Sequence, residues 1–156
     1  MKHSHQLLLK KKKINVLILC GGYGSRISNI TKNTAKPLIK IFNKPFLYYL
    51  IKNLSRYNFE NFYLLTHYKN NDFIEFKRSF EKELKSKIKI ISEQVKLDTG
   101  GAVINAVKRI KNKNDYLLIN GDTYLDANFN HIYKEFKSKN SLLMILIKKS
   151  KESEKT

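Results

Sequence analysis

Ile14-Asn15-Val16-Leu17-Ile18-Leu19-Cys20-Gly21-Gly22-Tyr23-Gly24-Ser25-Arg26 is the stretch that decides the fold. Its first half is continuous and apolar apart from Asn15, as in a parallel-sheet strand covered on both faces. Its second half is a glycine-rich turn. In an open α/β sheet, ligands sit beyond the carboxyl ends of the strands. Glycines there let backbone amides approach a phosphate with no Cβ in the way. Ile27 stands where a dinucleotide fingerprint needs its third glycine, and no Gly-Lys-Ser/Thr follows, so neither that fingerprint nor a Walker A loop is present. A plain tight turn is the alternative at this point.

Outward from this stretch, strand-like runs alternate with helical patterns. Pro45 suits the first turn of a helix, and Phe46, Tyr49, Leu50, Leu54 and Tyr57 follow helical spacing with Asn53 as the polar exception. Strands are expected at Phe62 to Thr66, Ile88 to Ser92, Tyr116 to Asn120 and Leu142 to Ile147. Helices are expected over Asn70 to Lys85, Thr99 to Ile110 and Asn128 to Lys139. The alternation predicts an α/β fold: a Rossmann-like, mostly parallel sheet flanked by helices. The organisation expected is a basic N-terminal tail (1–13), one domain (14–147) and a charged tail (148–156).

The chain has 156 residues, enough for one domain with a buried core, and its formal net charge is +18. Such a charge attracts phosphates, nucleic acids and anionic membranes. Lysine is spread along the whole chain, however, together with abundant Asn and Ile, and no nucleic-acid-binding motif accompanies it. No apolar run approaches the roughly 18–20 residues that span a bilayer. The Leu7-Leu8-Leu9 patch precedes its lysines, the reverse of a secretory signal. The single cysteine, Cys20, has no internal disulfide partner and fits a reducing cytoplasm. No His or Cys spacing of a metal site exists. His67 ends a strand, where packing is the plainer role.

Two cations sharpen the glycine turn. Arg26 ends it and Lys36-Pro37 follows on the same loop, a planar fork and a compact charge suited to phosphate oxygens. Asn120-Gly121-Asp122-Thr123 closes the fourth strand, where a carboxylate can hold magnesium on a triphosphate. Leu-x-Gly-Gly-x-Gly-x-Arg, Thr31, Lys36-Pro37-Leu38, Lys44-Pro45 and the Gly121-Asp122 pair together resemble the signature of sugar-1-phosphate nucleotidylyltransferases. Glu93 to Gly101, with its Thr99-Gly100 turn, resembles that family's base-reading segment. Asp98 departs from the family's usual glycine and is read as a helix N-cap.

The resemblance implies the nucleotide-diphospho-sugar transferase fold, incomplete at its C-terminal side because typical relatives continue. It implies catalytic roles for Arg26 on the leaving phosphates and Lys36 between the reacting phosphates, with Asp122 as the Mg2+ ligand. Leu19, Gly21, Gly22, Gly24, Glu93, Thr99 and Gly100 would bind the nucleotide. The partners implied are a nucleoside triphosphate and a sugar 1-phosphate, with no specific nucleic acid and no membrane. An acceptor-only carboxylate at Glu93 suits the N–H donors of guanine and favours GTP. UTP with an amino-sugar 1-phosphate stays open, as does mannose 1-phosphate. The segment around Asp122 and the Thr99 turn look most like bacterial enzymes that guanylate a heptose 1-phosphate for surface polysaccharide. Three readings stand side by side: an active transferase, a nucleotide-binding relative without turnover, and a basic nucleic-acid-binding domain. The chain alone is expected to be a poor catalyst, with Leu142 to Ile147 a sheet edge open to self-association.

Overall fold

The computed structural model describes residues 14–23, 34–112 and 114–147. The sheet is parallel and four-stranded. β1 (Ile14–Leu19) lies between β4 (Phe59–Thr66) and β6 (Tyr116–Asn120), and β5 (Ile88–Ser92) lies beyond β4. Between β1 and β4 the chain forms a 3-10 turn (Lys36–Leu38), an antiparallel ribbon of β2 (Lys40–Ile41) and β3 (Lys44–Pro45), and helix α1 (Phe46–Leu54). Helix α2 (Asn70–Leu84) connects β4 to β5, and helix α3 (Asp98–Ile110) connects β5 to β6.

The order β5-β4-β1-β6 means that the sheet grows one way from β1 and then returns to add β6 on the other side. That reversal is a topological switch point, and a ligand crevice opens there, outside the carboxyl ends of the two strands. The registers level those ends: Leu19 pairs with Leu65 on β4 and with Asn120 on β6.

The connections also dictate which face each helix covers. Right-handed crossovers running in opposite directions put their helices on opposite faces, so α1 and α2 share one face and α3 takes the other. On the α3 side, Leu17, Tyr63, Leu65 and Ile91 pack against Ala102 and Ala106, whose small side chains bring the helix close. Val16, Ile18, Leu64 and Ile88 point to the other side and are fully buried. Leu47, Leu50 and Leu54 of α1 and Phe73 of α2 are equally buried. Each such Leu or Phe contributes about 1.5–3 kcal/mol by leaving water.

Beyond Leu125 a second compact unit begins at Asp126, described over residues 126–147. Its helix α4 (Phe129–Ser138) is capped by Asn128, whose Oδ1 accepts from the His131 amide at 3.1 Å.

Several boundaries differ from expectation. Pro45 sits at the cap of α1 rather than inside it, and the helix stops at Leu54, with Tyr57 held in a turn by the hydrogen bond its amide donates to the Leu54 carbonyl (3.0 Å). β4 starts at Phe59 instead of Phe62. Asn61 breaks the apolar pattern there, yet it is buried and donates from Nδ2 to Asn15 Oδ1 at 2.8 Å. The expected fifth strand is not one: residues 142–147 form no strand, and Leu142, Leu143, Ile145 and Ile147 are largely exposed. An apolar run becomes a strand only where a neighbour offers backbone partners, and no ladder to this segment exists among the described residues. Both tails, 1–13 and 148–156, lie outside the described residues.

Candidate functional site

A cavity of about 500 Å³ opens at the switch point. Its floor is the carboxyl end of β1, and its walls come from the 3-10 turn, the segment after β5, the start of α3 and the end of β6. Leu19, Gly21, Gly22, Lys36, Glu93, Thr99 and Asp122, all expected from sequence, line it together. Gly100 does not line it, and open space lies where its Cβ would stand. Gly24 and Arg26 lie outside the described residues.

Backbone bonds fix the floor. The Cys20 amide donates to the Leu65 carbonyl at 2.8 Å, and the Gly121 amide to the Leu19 carbonyl at 2.9 Å. A Cβ at position 121 would stand 2.8 Å from that carbonyl, 2.9 Å from Cys20 Sγ and 3.1 Å from Pro37. Glycine is therefore required for the β6 end to close on the glycine turn. Cys20 is buried beneath this contact, and burial first, then the nearby Asp122 charge, pushes its thiol far above the ordinary range. It is an uncharged packing residue and not a nucleophile.

The closed floor presents Asp122 to the cavity from one side, and the Pro37-braced turn presents Lys36 from the other. Lys36 Nζ donates to Asp122 Oδ2 at 2.6 Å. Thr123 Oγ1 donates to the other carboxylate oxygen at 3.3 Å. The Lys36 hydrogen bond is the main reason the Asp122 carboxyl is held below the usual carboxylate range. Both side chains remain partly open to solvent, so the pair is exchangeable rather than buried. A carboxylate beside a cation at the mouth of amide-rich glycines suits a phosphate that carries its own metal ion.

Glu93 follows β5. It is 8% exposed, and its Oε2 accepts from the Leu97 amide at 3.2 Å, closing the turn that leads into α3. Asp98 does not cap the helix. The cap position is Leu97, with no side-chain bond, and Asp98 has φ 54°. This left-handed conformation, which glycine takes freely and aspartate tolerates, accounts for the glycine expected at this place. Lys96, which sequence reasoning passed over, lines the cavity and pairs with Asp98 at 3.3 Å. Its position inside the Glu93 to Gly101 segment was the available signal. His67, for which packing is the plainer role, does not line the cavity; it bonds Tyr23 at 3.2 Å and the Glu93 carbonyl at 3.1 Å.

Two glycines of the turn, a lysine and an aspartate thus converge on the switch point of the sheet. A family profile described as nucleotidyl transferase matches residues 15–156, and the chain belongs to that family. It is 35% identical over 120 residues to the D-glycero-alpha-D-manno-heptose 1-phosphate guanylyltransferase of Campylobacter jejuni, covering 76% of this chain and 52% of that protein. It is 33% identical to the bifunctional protein GlmU of Methanococcus maripaludis, covering 76% of this chain and 27% of that one. The crystal structure of HddC from Yersinia pseudotuberculosis complexed with GMP-PN superposes with a TM-score of 0.71 at 32% identity, over 79% of this chain and 54% of HddC. The chain thus spans about half the length of the Campylobacter jejuni relative and of HddC. No helix among the described residues is long and apolar enough to cross a membrane.

Proposed function

We propose that this chain forms the nucleotide-binding part of an enzyme that joins a nucleoside triphosphate, GTP by preference, to a sugar 1-phosphate and releases pyrophosphate. The observation that carries this reading is the Lys36–Asp122 pair, 2.6 Å apart at the switch point and facing Gly21 and Gly22 across one cavity. A phosphate oxygen of the sugar 1-phosphate attacks the α-phosphorus. The bond from that phosphorus to the bridging oxygen breaks, and pyrophosphate leaves. The attacking oxygen is already ionised near neutral pH, so the protein need supply no general base. Its task is to hold repelling anions in line and to balance their charge.

In this account the Gly21–Gly22 amides cradle the triphosphate, and Lys36 turns from Asp122 to the phosphates. Arg26 is assigned to the leaving phosphates by the family resemblance. Magnesium binds proteins through one or two carboxylates plus substrate phosphates. The single carboxylate of Asp122 therefore fits an Mg2+ ion that arrives on the triphosphate, and its charge would neutralise the phosphates. Glu93, an acceptor at the cavity wall, favours guanine. The name of the heptose 1-phosphate guanylyltransferase relative supports a heptose 1-phosphate acceptor. A role in surface polysaccharide belongs to the same proposal, and an amino-sugar 1-phosphate with UTP is the runner-up. A lone, buried thiol and nucleotide substrates fit the cytoplasm.

A second reading, nucleotide binding with little turnover, rests on the family resemblance, which implies a second acidic metal ligand beside Asp122. After Asp126 the chain holds only Glu135, Glu152 and Glu154. Glu135 is on α4, where it pairs with Lys139 at 3.8 Å.

The test is a pyrophosphate-release assay on the 156-residue chain with GTP, Mg2+ and a panel of sugar 1-phosphates, alongside Mg2+-dependent thermal stabilisation by GTP. Stabilisation with release far below a typical ~10 per second is expected of this chain assayed alone. Release near that rate would show that no further acid is needed. Stabilisation by duplex or single-stranded nucleic acid, with none by GTP, would overturn the nucleotide reading.

A further inference from the structure

In the sheet order β5-β4-β1, β4 lies between the strand that feeds Glu93 and the strand that feeds the glycine turn. His67 follows the last residue of β4, directly between those two loops. Its Nδ1 is 3.1 Å from the Glu93 carbonyl oxygen, and its Nε2 is 3.2 Å from the Tyr23 hydroxyl. A carbonyl only accepts, so Nδ1 carries the hydrogen. In the neutral ring, Nε2 then accepts from the Tyr23 hydroxyl. The contact is reinforced on the loop side. Gly21 lies against His67, where a Cβ would touch its backbone and Cβ at 3.5 Å. The Tyr23 ring meets His67 edge-on at 5.9 Å and leans on Tyr68 at 5.2 Å. Half of Tyr23 is exposed, so apolar burial alone does not explain its fixed place.

We infer that His67 is a positioning residue: a single imidazole, fixed in one tautomer, that sets the distance between the glycine turn and the backbone of Glu93. On the nucleotide reading above, on which this inference rests, those are the places that hold the triphosphate and the base. A nucleotide is two linked ligands, and the gain from the link depends on both subsites being held at the span of the ligand. Loosening the tie leaves each subsite intact and reduces the advantage of occupying both. A residue that merely fills space would, when replaced, weaken both subsites or neither.

The experiment compares Mg·GTP with inorganic triphosphate by calorimetry on the full chain, its His67→Phe variant and its Tyr23→Phe variant. Tyr23→Phe removes only a hydroxyl from a half-exposed ring, so it keeps the test alive should His67→Phe fail to fold. GTP affinity should fall about tenfold in the first variant and about threefold in the second, while the affinity for triphosphate stays unchanged. Imidazole nitrogen chemical shifts of the ligand-free chain should show hydrogen on Nδ1 of His67. Unchanged GTP affinity, an equal loss for triphosphate, or hydrogen on Nε2 alone would overturn the proposal. A chain that binds neither ligand overturns the nucleotide reading instead, and the tautomer then decides whether the tie itself exists.

Discussion

The chain contains two Lys-Pro pairs, and the fold uses them in opposite ways. Lys36-Pro37 and Lys44-Pro45 each send the lysine to a carboxylate, at 2.6 Å on Asp122 and 2.7 Å on Glu83. Lys44 is caged: its Nζ lies 4.7 Å from the Tyr48 ring and 5.0 Å from the Phe80 ring, and the Tyr48 hydroxyl donates to the same Glu83 at 2.8 Å. That cluster ties β3 and α1 to α2 and lines no part of the cavity. Lys36 has no aromatic cage among the described contacts, and its partner follows the end of β6 at the switch point. The same dipeptide is a strut in one place and an exchangeable counter-ion in the other. Location relative to the strand ends distinguishes them, whereas residue type and ion-pair distance do not.

Breaking the first pair should therefore cost binding, and breaking the second should cost only stability. Asp122→Asn should weaken Mg·GTP at least tenfold, about the loss that even outer-shell partners of a metal cause. Lys36→Met should weaken it by roughly 10–100-fold, the equivalent of ~1.5–3 kcal/mol for a charge-assisted hydrogen bond. Lys44→Met should lower the melting temperature and leave GTP affinity unchanged. Calorimetry and thermal melts on the three variants check this, and a large affinity loss in Lys44→Met would erase the distinction.

Gly121→Ala sharpens the comparison from below. A Cβ against the Leu19 carbonyl forces the site end apart, and about 1–3 kcal/mol of stability should be lost, read from the urea midpoint. An unaffected midpoint would mean that β6 closes on β1 more loosely than its 2.9 Å bond indicates. Glu93→Gln should weaken GTP more than UTP, by roughly 1–3 kcal/mol for buried hydrogen bonds. Equal effects on the two nucleotides would remove Glu93 from base recognition.

The smallest effect is on titration. Lys36 holds the Asp122 carboxyl below its ordinary value, so the pair contributes stability above the unfolded carboxylate range and loses it as pH falls through the folded value. The carboxyl carbon resonance of Asp122 should titrate below the usual range and move up in Lys36→Met. No movement would show that another group sets it.

The β1 strand, the glycine turn and the Gly121-Asp122 pair were legible because each is a local pattern: a buried apolar run, residues with no Cβ, a carboxylate after a strand. The β2–β3 ribbon was not. Its turn places Phe42 and Asn43 at positive φ without any glycine to announce it. Asn61 concealed the start of β4 because a buried amide pair looks polar in sequence. The run 142–147 misled in the other direction, since apolarity signals burial but cannot supply a neighbouring strand. Lys96 had a signal in its place inside the Glu93 to Gly101 segment, whereas the contacts of His67 depended on which strands became neighbours, and only the sheet order reveals that.

The most direct test of the exchangeable pair is a titration of the 15N-labelled chain with GTP and Mn2+ in place of Mg2+, read as residue-specific amide line broadening. The account predicts that Gly21, Gly22 and the 121–123 amides broaden first, while those of Lys44 and Glu83 stay sharp. Broadening centred on Lys44 and Glu83, or spread evenly over the surface of this highly basic chain, would contradict it.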